Sequence, residues 1–290
     1  MRSLIFISLI AWLMVGCDST GKKQTKNTIF VSIKPQQYMV EQIAGETFSV
    51  KALLPPGASP AVFEPSPGQL HSLSQSIAYI RIGEIGFENA WMEKIKGSNQ
   101  EMKIFDQSRG VRWIKADHHH GHDHVHHHNV DPHIWTSPVA VSKQIENIKS
   151  YLTKLKPDSA TYFEENAQRF AAEVADLDKR IQQKFEDVEG RTFMIYHPAL
   201  TYFARDYQLE QIALEKEGKE PSGKYMAELI KKSKALGIKT IFVQKQFPVA
   251  KAEVLANELD AKVEVIDPLA YNWIRNMEDM ASRIARALNE

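Results

Sequence analysis

The fold is most constrained by a stretch near the middle of the chain, residues 158–186, that contains neither glycine nor proline. Its apolar side chains recur every three or four residues, which is the spacing of one helix face. Pro157 suits the first turn of such a helix, because that turn does not use the amide that proline lacks. An unbroken helix here would be roughly 40 Å long at 1.5 Å per residue. We therefore predict a stiff linker helix over 157–188, with two helices broken by a turn as the alternative.

Short β-branched runs alternate with helical patterns on both sides of this stretch. The predicted strands are 28–33, 48–54, 77–82 and 103–105 before it, and 192–196, 211–214, 240–244 and 262–266 after it. The predicted helices are 35–44, one that starts with a capping box at Ser66 and Gln69, and 199–207, 224–236, 249–259 and 276–288. Alternation of strand and helix is typical of parallel sheets. The predicted fold class is α/β, with one small parallel-sheet lobe over 28–156 and another over 189–290.

The first residues have the pattern of an export signal. One early charge, Arg2, precedes an apolar run over 4–15 that is shorter than the roughly 20 residues of a transmembrane helix. We predict a signal peptide over 1–16. Residues 14–17 (MVGC) are similar to a bacterial lipobox, so Cys17 would carry a lipid and 17–27 would form a polar tether. The alternative is an ordinary secreted protein with a stray cysteine beside its cleavage site.

Charge and cysteine content limit the partners of this chain. Lys plus Arg and Asp plus Glu number 36 each, so nothing indicates a nucleic-acid or polyanion partner. Hydrophobic residues make up 43% of the chain, which is enough for buried cores. Cys17 is the only cysteine, so packing or a metal must stabilise the fold in place of disulfides. We expect a monomer that contacts the membrane through its lipid anchor alone.

A histidine-rich tract lies before the middle of the chain. Residues 118–128 read HHHGHDHVHHH, which is too polar for a core, and we predict a surface loop over 116–129. Imidazole binds zinc and other transition metals, so such a cluster offers many weak, exchangeable sites. A solvated spacer or a purification tag is the alternative, although the internal position argues against a tag. The histidines predicted to capture metal are His118, His119, His120, His122, His124, His126, His127 and His128.

Three other residues form a candidate metal site. His197 and Asp267 each follow a predicted strand and precede a proline, and His133 lies just before the Ser-Pro pair at 137–138, which fits the start of a helix. Ligands of open parallel sheets bind beyond the carboxyl ends of the strands, so residues of both lobes can meet in one interdomain cleft. Two histidines and a carboxylate are zinc ligands. Taken singly, each could also be a turn or cap residue, and His71 is interpreted as structural.

The motifs around these residues resemble one family. They read GASP at 57–60 with FEPSP at 63–67, DPHIWTSP at 131–138, YHPALTYF at 196–203, EKEG at 215–218 and DPL at 267–269. The sequence resembles the metal-binding lipoproteins of zinc and manganese ABC importers, the cluster A-I solute-binding proteins, over nearly the whole mature chain. The resemblance implies two α/β lobes joined by a long helix, with His133, His197 and Asp267 as metal ligands. Manganese-type members often have glutamate where His197 stands, so imidazole there favours zinc over Mn²⁺.

One position departs from the family pattern. The family usually has a histidine directly after Gly-x-x-Pro, where this chain has Ala61. Three protein ligands then remain, whereas zinc prefers four. Glu64, a loop histidine or a water could complete the shell. The alternative for Glu64 is a surface or capping carboxylate ahead of the helix that starts at Pro67.

The sequence therefore predicts capture of zinc, or a similar divalent transition metal, and its delivery to the permease of an ABC importer. The protein would be extracytoplasmic, in the periplasm or at the outer face of the cytoplasmic membrane, and not an enzyme. A zinc hydrolase is one alternative, because three protein ligands and water also form catalytic zinc sites. Turnover that is lost in Glu64→Gln would indicate this hydrolase. A metal-binding surface adhesin is the other alternative, and matrix binding that survives loss of both histidines would indicate it.

Overall fold

The computed structural model describes residues 27–115, 130–215 and 221–290. Within these ranges the chain forms two four-stranded sheets, whose strands all pair in parallel, and a long helix that separates them in the sequence. The α/β prediction is therefore confirmed. The predicted signal peptide, the lipidation site Cys17 and the histidine-rich segment 116–129 lie outside the described residues.

The N-terminal lobe contains the first sheet. Its strands are β1 (Thr28–Val31), β2 (Ser49–Ala52), β3 (Ala78–Arg81) and β4 (Lys103–Asp106), and its helices are α1 (Lys34–Ala44), α2 (Pro67–Ser74) and α3 (Gly86–Ser98). The strand order is β2-β1-β3-β4. The two central strands are largely buried, which explains their continuous apolar sequence.

Two helix starts in this lobe show what the sequence can and cannot predict. α2 begins as predicted, because Ser66 Oγ accepts a hydrogen bond from Gln69 N while Ser66 N donates to Gln69 Oε1. The sequence pattern does not predict α3, which starts at Gly86 without a side-chain cap and contains Gly97 near its end. Glycine is a poor helix former, so burial of Phe87, Met92 and Ile95 has to stabilise α3 through tertiary packing.

A long helix connects the lobes. α4 (Pro138–Leu155) starts at the predicted Ser-Pro pair, with Ser137 Oγ accepting from Ala140 N at 2.9 Å. A 3₁₀ turn at Pro157–Ser159 and α5 (Ala160–Lys184) follow. α5 has 25 residues, which corresponds to roughly 37 Å. The predicted long helix is confirmed in one piece, and the alternative of two broken helices is wrong.

The C-terminal lobe repeats the architecture. Its strands are β5 (Thr192–Ile195), β6 (Glu210–Ala213), β7 (Thr240–Gln244) and β8 (Lys262–Ile266), and its helices are α6 (Thr201–Asp206), α7 (Gly223–Ala235), α8 (Ala250–Leu259) and α9 (Trp273–Ala287). The strand order is β6-β5-β7-β8. α9 packs against α5, and one apolar cluster extends from the N-terminal lobe into the C-terminal lobe, which also has a second cluster of its own. Across the three described ranges, every helix falls short of the combined length and apolarity that a bilayer span requires.

A buried carboxylate supports the loop that leads from β3 into α3. Glu88 is fully buried and accepts hydrogen bonds from Ile82 N at 2.8 Å, from Gly83 N at 2.9 Å and from Ser32 Oγ. Gly83 has a φ of +94°, a conformation that glycine adopts without strain. Burial raises the pKa of Glu88 from 4.5 to about 7, although its hydrogen bonds and the nearby Arg81 act in the opposite direction. Glu88 therefore titrates near neutral pH.

This raised pKa predicts a pH-dependent stability. Between pH 4.5 and about 7, Glu88 keeps its proton in the folded chain but has lost it in the unfolded chain. The stabilisation that protonated Glu88 adds to the free energy of unfolding is fully present below pH 4.5. It declines by roughly 3 kcal/mol as pH rises to about 7. Glu88→Gln should remove this slope in denaturant unfolding, since glutamine does not titrate. Glu93→Gln, on the exposed face of the same helix, is the control, and parallel pH profiles for wild type and Glu88→Gln would contradict the prediction.

Candidate metal centre

A cleft with a volume of about 230 Å³ lies between the lobes. Its walls come from the strand exits of both sheets and are mostly apolar, with Pro60 and Ala61 on the N-terminal side and Phe247 and Leu269 on the C-terminal side. His133 and His197 both line it. Electrostatic interactions are stronger in such apolar surroundings than in water. The prediction of an interdomain cleft that contains both histidines agrees with this geometry.

A carboxylate fixes the orientation of His133. His133 precedes the 3₁₀ turn Ile134–Thr136 and is 9% exposed. Asp131 Oδ1 accepts from His133 N and from His133 Nδ1, both at 2.8 Å. Burial would raise the pKa of Asp131, but His133 and a hydrogen bond from Thr201 outweigh it and hold that pKa below its ordinary 3.8. Asp131 is therefore ionised, and its contact with Nδ1 leaves the Nε2 atom of His133 for a ligand.

His197 is fixed in the same way. Gln244, at the end of β7, accepts from His197 N at 3.1 Å and donates to His197 O at 2.5 Å. Glu215 Oε2 lies 2.5 Å from His197 Nδ1, and Phe247 stacks on the ring with centroids 5.3 Å apart. Burial lowers the pKa of His197, although the hydrogen bond to Glu215 opposes this. The neutral imidazole, which is the metal-binding form, is therefore favoured.

The two Nε2 atoms are 3.4 Å apart. Each Nδ1 lies against a carboxylate, which favours the tautomer with its proton on Nδ1. Both Nε2 atoms are then acceptors, and two acceptors cannot hydrogen-bond to each other. Two nitrogens at the usual zinc distance of about 2.05 Å, with a tetrahedral angle between them, are roughly 3.3 Å apart. The separation therefore fits a single cation held by both imidazoles.

The other predicted ligands lie elsewhere. Asp267 Oδ1 accepts from Gln246 Nε2 at 3.0 Å and from Leu269 N at 3.1 Å, beside an adjoining cavity. Glu64 is exposed in the loop before α2 and does not line the cleft. Over residues 27–115, 130–215 and 221–290, no three His, Cys, Asp or Glu side chains are placed to share a metal. The structure thus brings together His133 and His197 but neither predicted carboxylate.

Strand order explains which carboxylates approach the histidines. β6, which leads to Glu215, pairs directly with β5, which leads to His197. β8, which leads to Asp267, is separated from β5 by β7, a distance of roughly 10 Å. The sequence pattern assigns no role to Glu215, Asp131 or Gln244, although Glu215 lies just beyond β6, Gln244 ends β7 and Asp131 lies two residues before His133. A carboxylate just after a predicted strand was the available signal for Glu215.

Hydrogen bonds tie the lobes together next to the cleft. Trp135 Nε1 donates to Pro268 O at 2.9 Å, and Trp273 Nε1 donates to Trp135 O at 2.6 Å. Tyr202 OH, on α6, donates to Asp131 O at 2.8 Å. His133 therefore stands between two points of attachment to the C-terminal lobe, and its distance from His197 is set by the folded chain.

The fold is that of a two-lobed α/β protein in which a long helix joins the lobes and two imidazoles face each other in the cleft between them. The family described as "Zinc-uptake complex component A periplasmic" matches residues 29–287, and the chain belongs to this family. That description is of a transport component rather than of an enzyme.

Individual relatives agree with this assignment. The chain is 29% identical over 281 residues to the zinc-binding lipoprotein AdcA of Streptococcus pneumoniae R6, covering 92% of this chain and 55% of AdcA. It is 28% identical over 269 residues to the high-affinity zinc uptake system protein ZnuA of Bacillus subtilis 168, covering 88% of this chain and 81% of that protein. The crystal structure of a zinc-bound ZnuA deletion mutant is 38% identical, with a TM-score of 0.85 and coverage of 91% and 99%. The chain spans about half the length of the AdcA relatives.

Proposed function

We propose that this chain captures zinc, or a similar divalent transition metal, and delivers it to the permease of an ABC importer as a membrane-anchored extracytoplasmic protein. The observation that carries the proposal is the 3.4 Å separation of the two Nε2 atoms, each in an imidazole held by a carboxylate. Relatives named as zinc-binding lipoprotein and zinc uptake protein support zinc as the cargo. Imidazole is also a good ligand for zinc and a poor one for Mg²⁺ or Ca²⁺.

The proposed coordination starts from the two histidines. His133 and His197 supply the first two nitrogens, and Asp267 supplies an oxygen after its carboxylate turns away from Gln246 and the Leu269 amide. Ala61 leaves room for a fourth ligand, which would be Glu64, a histidine of the 116–129 segment or a water.

The histidine-rich segment is proposed to collect metal for the cleft. The residues that flank it, Lys115 and Val130, form a β-bridge, and Val130 lines the cleft that contains His133. Exchangeable sites next to a tight one would raise the local concentration of metal.

Competitive metal titration tests this function. The wild-type chain should bind one zinc tightly and further zinc weakly, and deletion of 118–128 should remove only the weak binding. Asp267→Asn should weaken zinc binding at the tight site at least about tenfold. It removes the contribution of one ligand to a binding free energy that is roughly 10–16 kcal/mol in four-ligand sites. Asp176→Asn, on the exposed face of α5, is the matched control. Loss of the tight site on loop deletion would refute the cleft as the capture site.

A further inference from the structure

We propose that Glu215 is a positioning residue of the zinc site, which points His197 Nε2 at the metal and adds a negative charge that neutral imidazoles lack. This inference rests on the proposed function. Glu215 follows β6, its side chain is 10% exposed, and its amide donates to Tyr196 O at 2.9 Å. The backbone beside β5 therefore places the carboxylate directly against His197 Nδ1.

Among the described residues, Glu215 is the partner that accepts a hydrogen bond from a ring nitrogen of His197, because the Nε2 atoms of His133 and His197 are both acceptors and do not bond to each other. Gln244 binds the backbone N–H and C=O of His197, and Phe247 packs on the ring face. Neither contact would change much if the ring turned over by 180°. The Glu215 carboxylate would change, because it is acceptor-only and requires a protonated nitrogen opposite it. Glu215 thus sets both the ring orientation and the tautomer.

Charge gives Glu215 a second role. Two neutral imidazoles bring no charge to a dication in an apolar cleft, where an unpaired charge is costly. Asp131 and Glu215 each lie behind one imidazole, at 2.8 Å and 2.5 Å from Nδ1. Together with the proposed ligand Asp267, they supply the negative charge that offsets the two positive charges of zinc. A carboxylate behind a metal-binding histidine also makes that histidine a stronger ligand.

The test compares Glu215→Ala, Glu215→Gln and Glu215→Asp in the full chain. Glu215→Ala should weaken zinc binding about 10- to 100-fold in competition with a chelator. Glu215→Gln should fall between Glu215→Ala and wild type, because its amide oxygen accepts the Nδ1 proton but carries no charge. Glu215→Asp should recover part of the affinity. Glu210→Gln is the matched control, since Glu210 starts the same strand but pairs with the exposed Lys232.

A second readout separates positioning from a purely structural role. In ¹⁵N NMR of the metal-free chain, His197 should be protonated at Nδ1 in wild type and should become a mixture of tautomers in Glu215→Ala, with little change in melting temperature. An unchanged tautomer or unchanged zinc affinity in Glu215→Ala would overturn this inference while leaving the proposed function intact. Failure of the wild-type chain to bind zinc at the histidine pair would overturn both.

Discussion

Zinc binding at the cleft should fall about 100-fold when either His133 or His197 is replaced with alanine, and should be lost when both are replaced. Four-ligand zinc sites bind with roughly 10–16 kcal/mol, which is about 3 kcal/mol per ligand. At 1.4 kcal/mol per factor of ten, each lost ligand costs about two orders of magnitude. Chelator competition on metal-free protein measures the single variants. Calorimetry at micromolar zinc measures the double variant, which should show no stoichiometric site.

Thermal unfolding gives an independent check on the same variants. Zinc at 1,000 times its dissociation constant should stabilise the wild-type chain by about 4 kcal/mol, because it binds only the folded state. The double variant should show none of this stabilisation. His71→Ala is the matched control, since His71 is exposed on α2 and contacts Gln75. Tight zinc binding that persists in the double variant would show that the cleft is not the site.

Introducing a histidine at Ala61 should strengthen zinc binding about 10- to 100-fold. Ala61 is exposed and lines the same cleft as the two histidines, so a larger side chain there meets no buried packing. The family resemblance places a histidine at this position. A third imidazole would bring the site closer to the four ligands that zinc prefers. Chelator competition against wild type measures the gain.

The neighbouring Val62 provides the control for this gain. Val62 is 78% exposed and is not among the residues that line the cleft. Val62→His therefore adds an imidazole to the same loop without adding a ligand, and it should bind zinc as wild type does. If Ala61→His and Val62→His gave equal affinities, Ala61 would not face the metal.

The sequence predicted the elements of the fold well because their patterns are strong and local. β7 and β8 have the predicted bounds, since each is a short β-branched run between polar residues. The long helix follows from regular apolar spacing without glycine or proline. α3 was missed because its helix-forming signal is tertiary packing rather than capping or propensity. The order of the strands in each sheet could not be predicted from the sequence either, because it depends on how the crossover helices pack.

Without the strand order, the sequence cannot predict which carboxylates contact the two histidines. Residues at strand exits could be predicted to face one cleft, and His133 and His197 do so. Which carboxylate reaches them depends on which strands are neighbours. β6 next to β5 favours Glu215, and β7 between β5 and β8 keeps Asp267 with Gln246. Strand order, rather than residue type, therefore decides which carboxylates contact the two histidines in this structure.

The hydrogen bonds that Trp135 and Tyr202 make from one lobe to the other have a consequence for the rate at which metal leaves. Because these hydrogen bonds already hold the two sides of the cleft together, the protein loses little conformational entropy when metal binds. The affinity gained in this way appears mainly as slow dissociation of the metal. Spontaneous exchange with bulk solution should then be slow. An acceptor that separates the lobes would have to break the hydrogen bonds of Trp135 with Pro268 and of Tyr202 with Asp131, and it should then empty the cleft faster than spontaneous exchange does.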